Sequence, residues 1–424
     1  MGDFTIGVRS VARRAALVVV AVAALGTALL GAKWQLGDML AATTEPGDEL
    51  AVIRADAALV LAPDDPRANA FRSELGDAPG DAGFSTGLAE KAVRLAPLDH
   101  RWRIMLARVL ADSGRPDEAE REFRRAIELA PAYAACRWYY GNFLLRQGRG
   151  DEALAEFTRA ASDPLYRSQV LGLVWDYTRE VATIERIAGD GPENLAYLAA
   201  FLANHDRPAE AMAAWDRLPD EEKRSRSAEA HAISAALIGK HRFNTALYFA
   251  HAAGDDPDAK PEAVTNASFE SSIDPGEQAS FGWHIVRNDP KLDLAVDDKV
   301  AHDGRRSLRL TFRGSARPEI FNASQTVAVS PGARYRLTFW LRTENLRAAS
   351  PPFIDVATGD EAKSLGRTQP FPNGTNEWRQ MLVEFAVPAD ADGIEIRTLR
   401  SGCNGDDCPV TGILWYDDLV LTRL

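Results

Sequence analysis

Three short phrases of this chain share one spacing: ALVLAP at residues 58–63, AVRLAP at 92–97 and AIELAP at 126–131. Pro97 minus Pro63 is 34 residues and Pro131 minus Pro97 is 34 again, with Ala, Leu, Ala and Pro in the same places of each copy. Residues 100–164 add matches at the same offset, pairing Leu110 with Leu144, Gly114 with Gly148, Ala119 with Ala153 and Phe123 with Phe157. A period of about 34 residues belongs to a solenoid of helical hairpins. The residue types fit that geometry. Small Ala119, Ala126, Ala153 and Ala160 let antiparallel helices approach closely, Phe123 and Phe157 fill the space between hairpins, and each proline helps to end a helix.

With Tyr140 and Gly141 in the first helix of the second good unit, these residues resemble the tetratricopeptide repeat (TPR) family. The match is dense over residues 100–164 and thinner over 50–97, where Pro and Gly stand in place of a clear first helix. The resemblance implies a scaffold whose concave face takes a protein partner.

Working outward, helical spacing of apolar residues continues to about residue 258. Leu198, Leu202, Ala211 and Trp215 repeat the places of Leu106, Leu110, Ala119 and Phe123, and Ala246, Ala253, Phe243 and Tyr248 mark a further irregular unit. Five or six hairpins are expected, the outer ones degenerate, as the ends of solenoids usually are. His231, His241 and His251 recur ten residues apart. A turn around Gly239 and Lys240 separates the first from the others, so they read as helix-end or solvent residues, not as a metal cluster. Cys136 reads as an unpaired packing residue.

Toward the N-terminus, residues 15–32 (AALVVVAVAALGTALLGA) form an uncharged apolar run. Arg9, Arg13 and Arg14 precede it, whereas Asp38, Glu45, Asp48 and Glu49 follow. Positive flanks stay in the cytoplasm, so the run reads as a single-pass signal anchor of a bacterial inner membrane, with the body periplasmic or otherwise extracytoplasmic. A cleaved signal peptide, with Gly26-Thr27-Ala28 as its site, and a buried core helix are the alternatives. Trp34 suits an interfacial position.

Beyond residue 258 the periodicity changes to alternation. SLRLTF at 307–312, YRLTFWL at 335–341, MLVEFAV at 381–387 and ILWYDDLVL at 413–421 read as strands, separated by turns such as SPGA at 330–333. They describe an antiparallel β-sandwich. In the second strand Tyr335, Leu337, Phe339 and Leu341 share one face; Arg336, Thr338, Trp340 and Arg342 share the other. An aromatic ring beside guanidinium groups is chemistry suited to sugars.

The ordered phrases NASFE at 266–270, Gly282-Trp283, HDGRRSLRL at 302–310, VSPGARYRLTFWLRTE at 329–344, Trp378 and WYDDLVL at 415–421 are similar to jelly-roll carbohydrate-binding modules. That resemblance implies polysaccharide binding, with Trp340, Arg342, Phe321 and Tyr416 as candidates. It also implies a structural calcium ion joining the two chain ends of the module, held by Glu270, backbone oxygens of the Gly304 to Arg306 turn, and Asp417 or Asp418. A purely structural or protein-docking sandwich is the alternative. Cys403 and Cys408 bracket a turn-forming insert and are expected to form a disulfide in an oxidising compartment.

A chain of 424 residues predicts two or three folding units, and 46% hydrophobic content supplies their cores. The expected organisation is multidomain α + β: cytoplasmic tail and transmembrane helix at 1–34, linker at 35–49, TPR-like solenoid at 50–258 and jelly-roll sandwich at 259–424. A net charge of −12 without a basic patch argues against nucleic acid as a partner. No HExxH, GxSxG, GxxxxGK or GxGxxG motif is present. Glu270, Glu319 and Asp355 are not excluded as an acid pair, but binding is expected, not catalysis.

Overall fold

The computed structural model describes residues 11–76, 83–273, 279–286, 289–315, 319–361, 363–400 and 408–424, with the backbone alone at 315 and 319–322. Contacts divide the chain into two units, Met1–Ala188 and Gly189–Leu424.

The first unit is helical: α1 (Val11–Thr43), α2 (Ala51–Leu61), α3 (Pro66–Glu74), α4 (Phe84–Leu95), α5 (His100–Asp112), α6 (Pro116–Leu129), α7 (Ala134–Arg146), α8 (Gly150–Ala160), α9 (Pro164–Thr178) and α10 (Val181–Ala188). The 34-residue phrases are the ends of α2, α4 and α6, each followed by its proline. In the two regular hairpins, α5–α6 and α7–α8, Ala119, Phe123, Ala126, Ala153, Phe157 and Ala160 are all fully buried. Gly141 is small for a reason: a Cβ there would come within 2.7 Å of the Phe157 ring. Gly114 and Gly148 turn the chain at φ +72° and +75°, a backbone region that favours glycine.

Two expectations are corrected here. The first helix missing from the sequence reading of residues 50–97 is α3, nine residues long; Asp65 caps it by accepting from the Ala68 amide at 2.8 Å, and Pro66 occupies its first turn, where no amide donor is needed. Residues 35–49 are not a free linker either. α1 runs on to Thr43, because small Gly37 and Ala41 let its last turns pack on α2.

The second unit contains α11 (Pro192–Asn204), α12 (Pro208–Asp216), α13 (Asp220–Ser225), α14 (Ser227–Gly239) and α15 (Phe243–Ala253), then ten strands. Leu198, Leu202, Ala211 and Trp215 are buried, as their repeat positions require. From α3 to α15 six helical hairpins lie among the described residues, within the five or six expected, and α1 pairs with α2 ahead of them.

The strands are β1 (Trp283–Ile285), β2 (Leu292–Asp297), β3 (Ser307–Ser315), β4 (Glu319–Ala328), β5 (Arg334–Ala348), β6 (Phe353–Thr358), β7 (Ser364–Arg367), β8 (Gly374–Ala386), β9 (Gly393–Leu399) and β10 (Val410–Arg423). They form two antiparallel five-stranded sheets, β2-β3-β10-β5-β8 and β1-β4-β9-β6-β7, in a jelly-roll-like sandwich. Leu308, Leu310, Tyr335, Leu337, Phe339, Leu341, Ile354, Val356, Ile394 and Ile396 meet between them in one apolar core.

The sandwich is not separate from the last helical hairpin. Asp392, in the β8–β9 turn, accepts from the amides of Phe243 and Asn244, both at 3.0 Å, and so caps α15. The Phe243 ring lies against Gly359 and Gly393, where a Cβ would approach it to 2.4 Å and 2.2 Å. The boundary expected at residue 258 therefore falls inside a packed unit.

Candidate ligand-binding faces

Alternation along β5 turns Tyr335, Leu337, Phe339 and Leu341 into the core and leaves Arg336, Thr338, Trp340 and Arg342 outside. Trp340 and Arg342 thus stand on the expected outer face, but neither is free. His302 stacks on Trp340 with centroids 3.9 Å apart and planes 14° apart, and its edge meets Trp378 at 5.7 Å. Arg342 lies 5.6 Å over the Trp415 ring and 3.8 Å from Glu377. The Trp415 indole N–H donates to Asp297 at 2.9 Å. These rings cover one another, whereas Arg342 Nε is buried without a hydrogen-bond partner.

Tyr416 is corrected: it is 2% exposed, inside the core, with its hydroxyl 3.1 Å from Thr398 Oγ1. Its neighbour Trp415 takes the outer face, so alternation on β10 runs one residue out of step with the expected site. The side chain of Phe321 lies outside the described residues, as does that of Glu319. The expected Cys403–Cys408 disulfide rests on Cys403, also outside them; Cys408 is buried, and Arg400 Nη2 donates to its carbonyl at 2.7 Å. Cys136 is buried and its thiol is pushed up to about 11 by burial. His231 pairs with Asp255, His251 with the Ala259 carbonyl, and His241 sits at a turn, so the three histidines do not converge.

The opposite outer face carries what the sequence reading did not assemble. Ile354 and Val356 of β6, and Ile394 and Ile396 of β9, point into the core, so Phe353, Asp355, Glu395 and Arg397 point away. The charged groups on this face are nevertheless buried: Asp355 is 0%, Glu395 8% and Arg397 8% exposed. Arg397 Nε donates to Asp355 at 3.0 Å, and its Nη1 reaches Glu395 and Glu361 at 3.4 Å each. Ser364 donates to the other oxygen of Asp355. Arg367, paired with Asp355 across β6 and β7, lies 5.4 Å over the Phe353 ring. Burial holds the Glu395 carboxyl above its ordinary range. The result is a sheet face bearing carboxylate acceptors, guanidinium donors and one aromatic ring. Asp355 appeared in the sequence reading only as one of three unassigned acids; the Ile-x-Ile and Ile-x-Val alternation of β9 and β6 was the signal that could have placed it.

The acids expected to hold calcium meet one turn. Glu270 Oε1 accepts from the amides of Arg305 at 2.6 Å and Arg306 at 3.0 Å, and Gly304, at φ +66°, leaves it room. Asp417 accepts from the His302 amide at 2.7 Å, and Asp418 Oδ2 lies 2.7 Å from His302 Nδ1. Burial pushes the Asp417 carboxyl up to about 6. These oxygens find N–H partners in the protein, and among the described residues no group of three or more His, Cys, Asp or Glu gathers as a metal-ligand set. The donor set as placed does not fit a calcium ion without rearrangement.

In the first unit, α6, α7 and α8 enclose a groove of about 420 Å³ lined by Arg124, Ile127, Arg137, Tyr140, Leu144 and Glu156 among others. Beside it Glu120 accepts from Arg149 at 2.7 Å, Arg124 at 2.7 Å and Tyr140 at 2.8 Å. The Arg149 bond, ahead of those from Tyr140 and Arg124, holds the Glu120 carboxyl down at about 2.

Comparison with known proteins agrees with this architecture. Residues 83–134 and 104–167 match the tetratricopeptide repeat model, and residues 261–399 match a carbohydrate binding domain model. No curated protein matches the chain. Similar solved structures include a CBM4 module (14% identity, 38% of this chain and 99% of that one, TM-score 0.29). Others are the CBM22-1 xylan-binding domain of Paenibacillus barcinonensis Xyn10C (10%, 39% and 96%, 0.27) and MamA (17%, 33% and 81%, 0.27). The chain thus carries tetratricopeptide repeats in its helical first part and a jelly-roll domain of the carbohydrate-binding type in its last.

Proposed function

We propose that this protein is a single-pass scaffold of a bacterial inner membrane, with its N-terminus cytoplasmic and its body outside the cytoplasm. Its repeats hold a protein partner, and its sandwich holds a polysaccharide during envelope assembly or export. Support for the anchor is α1, one helix long and apolar enough to cross a membrane, with the basic residues on the side that stays in the cytoplasm. Support for the glycan reading is one observation above the rest: on a sheet face turned from the core, the exposed Arg367 lies over the Phe353 ring beside the buried Asp355–Arg397–Glu395 cluster. A guanidinium group donates hydrogen bonds to sugar hydroxyls. Trp340 and Arg342 are the second candidate surface.

Affinity electrophoresis of the full chain through gels containing neutral and acidic polysaccharides tests this. At least one polymer should retard the wild type, with retardation lost in Arg367→Ala, an exposed side chain, and retained in Trp340→Ala and Arg342→Ala. Equal mobility in every gel favours the other reading, a protein-only scaffold in which the sandwich docks a protein partner. The covering of Trp340 by His302 and the exposed Leu382 and Val420 on the same face favour it.

Calcium at Glu270, Asp417 and Asp418 is a separate proposal: it requires these acids, bonded as placed to N–H groups of one turn, to turn toward an ion for which their hard oxygens are suited. A bound ion must stabilise the fold by mass action, so chelation should lower the sandwich melting temperature; an unchanged value removes the ion.

A further inference from the structure

Strands β7 and β8 are the last strands of the two sheets, β7 in β1-β4-β9-β6-β7 and β8 in β2-β3-β10-β5-β8, and they meet at their edges. Gly366 makes the meeting close: a Cβ there would come within 2.9 Å of Val383 Cγ2 and 3.1 Å of the Glu384 carbonyl oxygen. A groove of about 590 Å³ lies at this edge, inside the range of about 300–1,000 Å³ usual for small-ligand sites. Its polar side chains come from the two strands and the turn between them: Arg367, Gln369, Arg379, Gln380 and Glu384.

Charge in the groove is one-sided. Glu384, its one carboxylate among the described residues, already accepts from Arg336 Nε at 2.8 Å. The two arginines have no such partner. Arg367 is exposed with its guanidinium 5.4 Å over the Phe353 ring; Asp355, opposite it in register, is bonded instead by Arg397 at 3.0 Å. Arg379 follows the alternation of Met381, Val383 and Phe385 but stays exposed beyond the core, and its Nη2 donates to the Met381 thioether at 3.3 Å. Among the described residues neither guanidinium meets a carboxylate. A guanidinium fork matches a carboxylate or a phosphate through two parallel bonds. Gln369 and Gln380 add exposed amides, which both donate and accept.

We propose that this groove holds the acidic units of a polysaccharide, Arg367 and Arg379 each donating to an oxyanion on the sugar while Gln369 and Gln380 bond its hydroxyls. The inference rests on the glycan-binding reading of the sandwich and narrows it to a polymer bearing carboxylate or phosphate groups. A net charge of −12 repels such a polymer from the chain as a whole. Its capture therefore needs a local pair of uncompensated cations, which the groove supplies. The lining includes no aromatic ring among the described residues, so charge, not stacking, gives the selectivity.

Affinity electrophoresis of the full chain tests it, in gels containing polygalacturonate or phosphomannan, each set against its neutral form, carboxyl-reduced polygalacturonate or dephosphorylated mannan. At least one acidic polymer should retard the wild type, with its neutral form about tenfold weaker, and the polymer that acts identifies the oxyanion. Arg367→Gln and Arg379→Gln should each weaken that retardation about tenfold, the worth of one charge-assisted bond. Arg313→Gln, which removes an exposed charge outside the groove, should leave it unchanged. Thermal melts equal to that of the wild type show that the variants are folded. Equal or greater retardation by a neutral form, or retardation unchanged in Arg379→Gln, overturns the acidic groove, while loss in Arg367→Gln keeps the glycan reading. Equal weakening in Arg313→Gln also overturns the groove, because the attraction is then a general one. Retardation by no polymer, acidic or neutral, overturns both.

Discussion

Each unit of this protein contains an arginine bracketed by carboxylates, and the two are used differently. Arg149 reaches Glu120 and Glu152 across helices α6 and α8, on side chains that keep partial contact with water. Arg397 reaches Asp355, Glu395 and Glu361 on a sheet face where two of the three acids are buried. In the first case water screens the charges, so the bonds brace a repeat at modest gain. In the second, charge has been taken out of water at a cost of several kcal/mol per ion, about repaid only by good pairing. Repeats can be braced cheaply. Ions buried on a sheet face add little net stability as a pair, yet breaking the pair is costly.

Removing the guanidinium from each tests the difference most strongly. Arg397→Leu leaves Asp355 buried with an uncompensated charge, and should cost about 3–5 kcal/mol, read as a fall in the denaturant midpoint of the sandwich. A loss under about 1 kcal/mol would place Arg397 in the same class as Arg149 and remove the contrast.

Acid titration is the next step down. The Glu120 carboxyl is held down at about 2, first by its bond from Arg149. A folded value depressed below the unfolded one contributes stability that is present above about pH 4.5 and is lost as pH falls toward 2. The solenoid should lose on the order of 1–2 kcal/mol over that interval, after screening is allowed for. Glu120→Gln should flatten the loss. Thermal melts at intervals between pH 5 and 2 would show it, and an unchanged slope in the variant would mean that Glu120 is not the group responsible.

The two regions were also unequally legible in the sequence. Repeats announce themselves because the same small and large residues must return every 34 positions to make the same contacts, so Ala119, Phe123, Ala153 and Phe157 could be placed without coordinates. All four strands read from alternation belong to one sheet, β2-β3-β10-β5-β8, where long strands have one face in the core and one in water. The sheet with the charged face yielded none. Its strands β1, β6, β7 and β9 have three to seven residues, and every position of β6 is buried, so exposure does not alternate even though side-chain direction does. Partners there are far apart in the chain: Arg397 and Asp355 are brought together only by pairing of β6 with β9. His302 and Trp340 are likewise joined only by the fold, which is why Trp340 looked available.

His302 gives the smallest and most discriminating measurement. Its ring covers Trp340, meets the edge of Trp378, and places Nδ1 beside Asp418. An aromatic contact of this kind contributes about 0.5–1.5 kcal/mol, so His302→Ala should cost about 1 kcal/mol and shift tryptophan emission to the red as Trp340 becomes wetter. If the charged face of the other sheet holds the ligand, polysaccharide retardation of His302→Ala will equal that of the wild type. Stronger retardation would mean that a bared Trp340 is the stacking platform and that His302 normally shields it. Stability and binding would then respond in opposite directions to one substitution, an outcome that a ligand seated at Arg367 on the other sheet cannot produce.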